Sequence, residues 1–146
     1  MSLLELQEKQ VITIENQKYE VLNMIKFREK SSYWIEYKLQ NLYSAKIFYL
    51  NVEVQSKAIL YEVLENANIN LKLTINFQGE NYDLYEKGTE KVETYYGMTD
   101  VALNERAQYY EYININNSKI FLSIEKWEYK TEVSLGREIT LLDIKY

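Results

Sequence analysis

Glu36 and Glu111 each stand before a tyrosine, and Glu53 and Glu125 close two look-alike stretches, "KIFYLNVE" at 46–53 and "KIFLSIE" at 119–125. Recurrent carboxylates of this kind could serve acid/base chemistry or hold a cation. The competing reading is that each pairs with a nearby lysine or a strand-end amide, and repetition favours it, because a duplicated fold copies what it needs. Tyr95-Tyr96 and Tyr109-Tyr110 flank a stretch in the more acidic half of the chain. Tyrosine ring faces together with glutamates suit a cationic amine such as a polyamine, although alternating tyrosines also simply cover sheet faces. Trp34 and Trp127 are the only tryptophans. Core filling is expected of both, and an exposed Trp34 would instead mark a recognition surface. The candidate binding residues are therefore Tyr95, Tyr96, Trp34, Glu36 and Glu111.

Much chemistry is excluded by what the chain lacks. It has no His and no Cys. That removes Ser-His and Cys-His nucleophiles, the common ligands of zinc, copper and iron, and any disulfide framework. Asp83, Asp100 and Asp143 are the only aspartates, and none belongs to a D-x-D cluster. "EKGTEKVETYYGM" carries two glycines but no phosphate-cradling pattern, and Gly88 is expected to supply positive φ in a hairpin turn. No catalytic residue, metal or cofactor is expected. The formal charge is −5, from 17 basic and 22 acidic residues, so nucleic acid is a poor partner. The opening "MSLLELQEKQ" does not read as a secretory signal, and no apolar run approaches the roughly 20 residues needed to span a bilayer. A cytoplasmic address without membrane insertion is the expectation.

The elements that must position these residues are strands. "YWIEYKL" sets Tyr33, Ile35, Tyr37 and Leu39 opposite Trp34, Glu36 and Lys38, and "LKLTINF" and "WEYKTEVSL" alternate in the same way. A period of two marks strands with one buried face. "ENQK" at 15–18 and "QGEN" at 78–81 read as hairpin turns, "LYSAK" at 42–46 and "INNSK" at 115–119 as strand connections. The fair helix candidate is Ser2–Lys9, and 99–108 reads as a helical turn, loop or strand.

The repeated strings extend further. Residues 33–53 align with 108–125, and "IENQKYEV" at 14–21 with "FQGENYDL" at 77–84, in the same order. The order argues for duplication. Repeat one spans about 10–64 and repeat two about 70–139, with an extra segment within 86–108. One copy of this size buries too little surface to stand alone, so the expected fold is all-β: two tandem β-meander repeats in one 146-residue domain, covering each other's apolar faces as a sandwich or partly open barrel with pseudo-two-fold symmetry.

The strings "YWIEYKL", "YDLYEKGTEKV" and "LSIEKW…EVSLGREI" resemble the bacterial family called domain of unknown function 4178, from about Val11 to Ile139. That family often has glycine where Asn23 stands and tryptophan where Phe48 and Phe121 stand. The resemblance brings no activity, cofactor or catalytic residue with it. It implies a bacterial accessory module linked to membrane stress. The function expected is thus a non-enzymatic interaction module whose partner is another protein, with a binding domain for a cationic amine as the alternative. Function is expected where the copies diverge, around Tyr95 and Tyr96.

Overall fold

The computed structural model describes residues 2–53, 57–65 and 67–146. These form strands β1 (Val11–Ile14), β2 (Gln17–Glu29), β3 (Ser32–Asn41), β4 (Ile47–Glu53), β5 (Ala58–Val63), β6 (Thr74–Phe77), β7 (Glu80–Gly97), β8 (Arg106–Asn114), β9 (Asn117–Lys126), β10 (Thr131–Ile139) and β11 (Ile144–Lys145). The helical content among them is two short 3-10 turns, Leu3–Glu5 and Leu141–Asp143. The first is closed by a capping box between Ser2 and Glu5, so the apolar start of the chain makes one turn rather than a helix to Lys9.

Every pairing is antiparallel. The order β2-β3-β4-β5-β10-β9-β8-β7 closes when β7 pairs with β2, giving an eight-stranded barrel. The expectation of a sandwich or partly open barrel is corrected to a closed one. Closure depends on the two longest strands. The first residues of β2 pair with β1, and Asn23–Arg28 turn to β7. The first residues of β7 pair with β6, and 91–97 turn to β2. Each strand serves an outer hairpin at one end and the barrel seam at the other.

Both outer hairpins use two-residue turns with positive φ, Glu15-Asn16 in one and Gln78-Gly79 in the other. That geometry matches the twist of the flanking strands. The connection after β3 is held by the Asn41 side chain, which accepts from the amides of Tyr43 and Ser44 at 2.9 Å. The connection after β8 uses Asn114 on the amides of Asn116 and Asn117 at 2.8 and 3.1 Å.

The apolar faces do not meet across the barrel, as the duplication argument expected. They point outward. Ile35, Tyr37 and Leu39 of β3, Leu50 and Val52 of β4 and Leu60 of β5 pack under Leu3, Leu4, Leu6, β1 and Ile144. On the other side Tyr112, Leu122, Ile124 and Val133 pack under β6 and Leu64, Ala67, Ile69 and Leu71. Two phenols fasten these covers. Tyr37 donates to the Leu3 carbonyl and Tyr112 to the Lys72 carbonyl, both at 2.8 Å. Each buried leucine or isoleucine contributes roughly 1.5–3 kcal/mol, so the outer layers hold much of the stability, beside smaller apolar clusters around Phe27 and Phe121.

Three local expectations are corrected. Gly88 lies within β7 with ordinary φ, and the glycines of positive φ are Gly79 and Gly97. A Cβ at Gly88 would fall 2.1 Å from the Glu29 carboxylate and 2.7 Å from the Tyr109 hydroxyl, so close packing selects that glycine. "LKLTINF" is strand only from Thr74, because Ala67, Ile69 and Leu71, with Leu64, belong to the outer cover. "WEYKTEVSL" becomes strand at Thr131, after a turn in which the Trp127 amide donates to the Lys130 carbonyl.

Candidate functional site

With the apolar side chains turned outward, alternation sends the other set into the lumen. Strand β3 presents Trp34 and Glu36, β4 Tyr49, Asn51 and Glu53, β5 Ile59 and Tyr61. Strand β10 adds Glu132 and Ser134, β9 Ser123 and Glu125, β8 Tyr109 and Glu111, and β7 Tyr85, Glu86 and Glu90. A bulge between Leu84 and Glu86 breaks the alternation of β7, and it accompanies two successive side chains, Tyr85 and Glu86, at the same chamber. Seven glutamates and four tyrosines line a chamber of about 80 Å³, and its lining contains no Lys or Arg.

The chamber adjoins a wider cleft of about 660 Å³, and Glu36, Tyr49, Glu125 and Glu132 line both. The cleft adds Asn23, Lys38, Met98, Asp100, Trp127 and Lys130. On the lumen side Phe27 stacks on Trp34 with ring centroids 6.0 Å apart, and Trp127 lies 6.1 Å from Phe27. Trp34 also meets Tyr109 edge-on at 5.9 Å.

Two of the acids are well furnished. Glu111 accepts from Ser123 Oγ at 2.7 Å and from Tyr61 Oη at 3.1 Å. Glu29, at the end of β2, accepts from Tyr109 Oη at 2.5 Å and from the Thr89 amide at 2.9 Å. Glu90 is different. It is only 2% exposed, and its Oε1 has no hydrogen-bond partner.

Crowded carboxyls away from bulk water resist ionisation. Burial pushes Glu111 up to about 8, against the relief given by Ser123 and Tyr61. Burial, then neighbouring Glu125, lifts Glu132 to about 7, with Lys130 and Lys38 pulling the other way. Glu36 and Glu90 are raised well above the ordinary range, first by burial and then by Glu125. Glu36 is half-buried as a whole residue, yet its carboxyl faces an enclosed space, and the enclosure governs its proton. Glu36, Glu90, Glu111 and Glu132 therefore hold their protons to higher pH than free glutamates do.

Trp34, Glu36 and Glu111 come together in this chamber, and the recurrent Glu53 and Glu125 join them. Tyr95 and Tyr96 do not line it. Tyr95 is partly exposed on β7 opposite Ile25, while Tyr96 packs on the first outer core and its hydroxyl donates to the Leu6 carbonyl. The sequence reading missed Glu86, Glu90, Glu132, Tyr61 and Tyr85. A signal existed for Glu132, which stands at the parity opposite Val133 and Leu135 of the same strand. Among the described residues, no group of three or more acidic side chains is arranged to hold a metal ion, and no helix is long and apolar enough to cross a membrane.

Compared with known proteins, residues 7–141 match the model of a family described as a domain of unknown function, DUF4178. No curated protein matches the chain, and no solved structure does.

Proposed function

The chain belongs to the DUF4178 family, and from that premise we propose that it is a binding module that takes a small organic cation into its acidic lumen. The observation that carries this is the set of seven glutamates around one chamber without a basic residue in its lining. Glu111 is held by Ser123 and Tyr61, whereas Glu90 Oε1 has no donor among the described residues, and an acid left unpaired in an enclosed space is costly. A cation that enters relieves that cost, and Trp34, Tyr61 and Tyr109 line the same space, where a ring face would attract it. This ranks the cationic-amine reading above the protein-interaction reading. The latter retains one favourable observation, the exposed Met98 and Leu103 in the connection from β7 to β8.

We also read the barrel as two tandem copies. The Asn41 and Asn114 connections, the Tyr37 and Tyr112 anchors, and the bulges after Val21 and after Leu84 recur in the same order. Duplication would then have doubled the lumen acids along with the fold.

Thermal melts at fixed ionic strength test the binding reading. An alkyldiammonium salt should raise the melting temperature in the millimolar range, through preferential binding to the folded state, whereas equal sodium chloride should not. Glu36→Gln and Glu111→Gln should reduce the shift. Equal shifts by sodium chloride and by organic cations would sink the proposal.

A further inference from the structure

Alternation also fixes what the barrel shows on its outside. Phe27, Val92 and Ala107 turn inward with Trp127, and Glu125 lines the chamber. Their neighbours in the chain therefore face out: Arg28 of β2, Lys91 of β7, Arg106 of β8 and Lys126 of β9. The register sets these cations side by side. Arg28 pairs with Lys91, Lys91 pairs with Arg106, and Lys126 pairs with Gln108, which follows Arg106 on the same face of β8. Lys26 precedes Arg28 on the outer face of β2, and Lys87 lies further along β7.

Six of the chain's 17 basic residues thus share one wall of a protein whose formal charge is −5. The acid on that wall, Glu93, is the extra residue of the bulge where β7 meets β2, and it is already engaged by Lys26 at 2.9 Å and by Arg28. Glu105 and Glu128 border the wall, and Glu105 accepts from the Ala102 amide at 2.9 Å. Among the described residues, Lys87, Lys91, Arg106 and Lys126 make no ion pair. Like charges directly opposite on a sheet are destabilising. A wall built for stability alone would set carboxylates against these cations, as the bulge does for Lys26. Lys87, Arg106 and Lys126 are exposed and Lys91 is half-buried, so their charges are open to a partner.

We propose that this wall docks an extended acidic segment of a partner protein, with carboxylates at alternate positions. The wall is independent of the lumen, which lies on the other face of the same strands. Spacing carries the shape of the ligand. Lys87 and Lys91 lie about 13 Å apart along β7, and alternate side chains of an extended segment recur about every 7 Å. Carboxylates at its first and fifth positions therefore reach both lysines. The third falls at Thr89, which pairs with Gln108 in the row that ends in Lys126. Charge decides the class of partner. Of the 17 basic and 22 acidic residues, 11 and 21 lie away from this wall. A broad polyanion such as a bilayer or a duplex would also meet that acidic remainder, whereas a short segment meets the wall alone.

The test is fluorescence anisotropy of a labelled peptide of alternating glutamate and serine, titrated with the full chain. The peptide should bind in about 50 mM sodium chloride and more weakly in about 200 mM, because salt screens exposed charges. Lys91→Glu combined with Arg106→Glu should lose at least about tenfold in affinity. Lys87→Glu combined with Lys126→Glu carries the same measurement if the first pair does not fold. Glu93→Gln, which releases Lys26 and Arg28, should tighten binding. Lys46→Glu combined with Lys119→Glu, away from the wall, should leave it near the native value. Absence of binding at low salt, or native affinity in both wall variants, would overturn the docking site. An equal loss in the Lys46 and Lys119 variant would reduce the effect to net charge and overturn it too. Phosphatidylserine vesicles or a single-stranded oligonucleotide binding more tightly than the peptide would overturn the acidic segment as occupant. None of these results bears on the lumen, whose own test is the thermal shift by organic cations.

Discussion

The phenol of Tyr61 on β5 donates across the lumen to the carboxyl of Glu111 on β8, at 3.1 Å. The contact links strands that are not neighbours and fixes one of the chamber acids. That acid titrates at about 8, against an ordinary value of 4.5. Between those values the folded chain holds a proton that the unfolded chain has released. Its stabilisation is therefore complete below about pH 4.5 and is lost as pH rises to about 8. Glu132, at about 7, acts in the same direction. One group contributes at most about 1.4 kcal/mol per pH unit, and less where water enters the lumen. The melting temperature should fall from pH 5 to pH 8, and Glu111→Gln should flatten the slope. A melting temperature that climbs across this window in the native protein contradicts the assignment. Below it, Glu93, held at about 2 by Arg28 and Lys26, works the other way and is lost as pH falls.

Gly136 holds the other partner of that contact in place. It pairs with Tyr61 between β10 and β5, and a Cβ there would fall 2.4 Å from the Tyr61 ring. Its backbone φ is ordinary, so the requirement is space alone. Gly136→Ala should push the ring off the wall, break its bond to Glu111 and cost about 1–3 kcal/mol. Denaturant unfolding measures the cost, and the near-ultraviolet dichroism of the tyrosines should change with it. An alanine variant with native stability and an unchanged spectrum would show that the ring has room to retreat.

Strand content, hairpin turns and the two faces of β3 were legible in the sequence because alternation is a local property. Tyr37 and Glu36 fall on opposite faces whatever the partner strand. Which face is inside a closed surface is not local. The pattern of apolar Ile35, Tyr37 and Leu39 says only that this face is buried, and here the first turn and β1 cover it from outside. The candidate site shared that limit. Glu36 and Glu111 were singled out because a glutamate-tyrosine pair recurs. Glu90 and Glu132 lacked such a mark, since their meaning depends on β7 and β10 joining one circle. Gly88 misled for a related reason: a glycine in a polar stretch suggests a turn, and the contact that selects it comes from Glu29 on a distant strand.

The outer covers should respond to the loss of a single hydroxyl. Tyr37 donates to the Leu3 carbonyl and accepts from the Leu6 amide at 3.3 Å, and Tyr112 donates to the Lys72 carbonyl. Both rings are fully buried. Tyr37→Phe and Tyr112→Phe should each cost about 1–2 kcal/mol, because a buried backbone group loses its partner. Hydrogen exchange locates the effect: the Leu6 amide should exchange faster in Tyr37→Phe and remain as in the native protein in Tyr112→Phe. Equal acceleration in both variants would mean that the two covers open as one unit.

The adjacent tyrosines of the diverged segment should separate under mutation. Tyr95 is 39% exposed, and no hydrogen bond ties its hydroxyl among the described contacts. Tyr96 packs on the outer core with Met24 and Leu4, and its hydroxyl holds the Leu6 carbonyl. Neither lines the chamber. Tyr95→Ala removes a half-open ring, so the melting temperature should move by no more than about 3 °C, the equivalent of roughly 1 kcal/mol. Tyr96→Ala loses buried ring area and a hydrogen bond, about 3 kcal/mol together, and should lower it by about 10 °C. Cation binding should survive in Tyr95→Ala with little change. A Tyr95→Ala variant that melts normally yet fails to bind the diamine would place the recognition surface on the diverged segment after all, and the lumen would lose its claim.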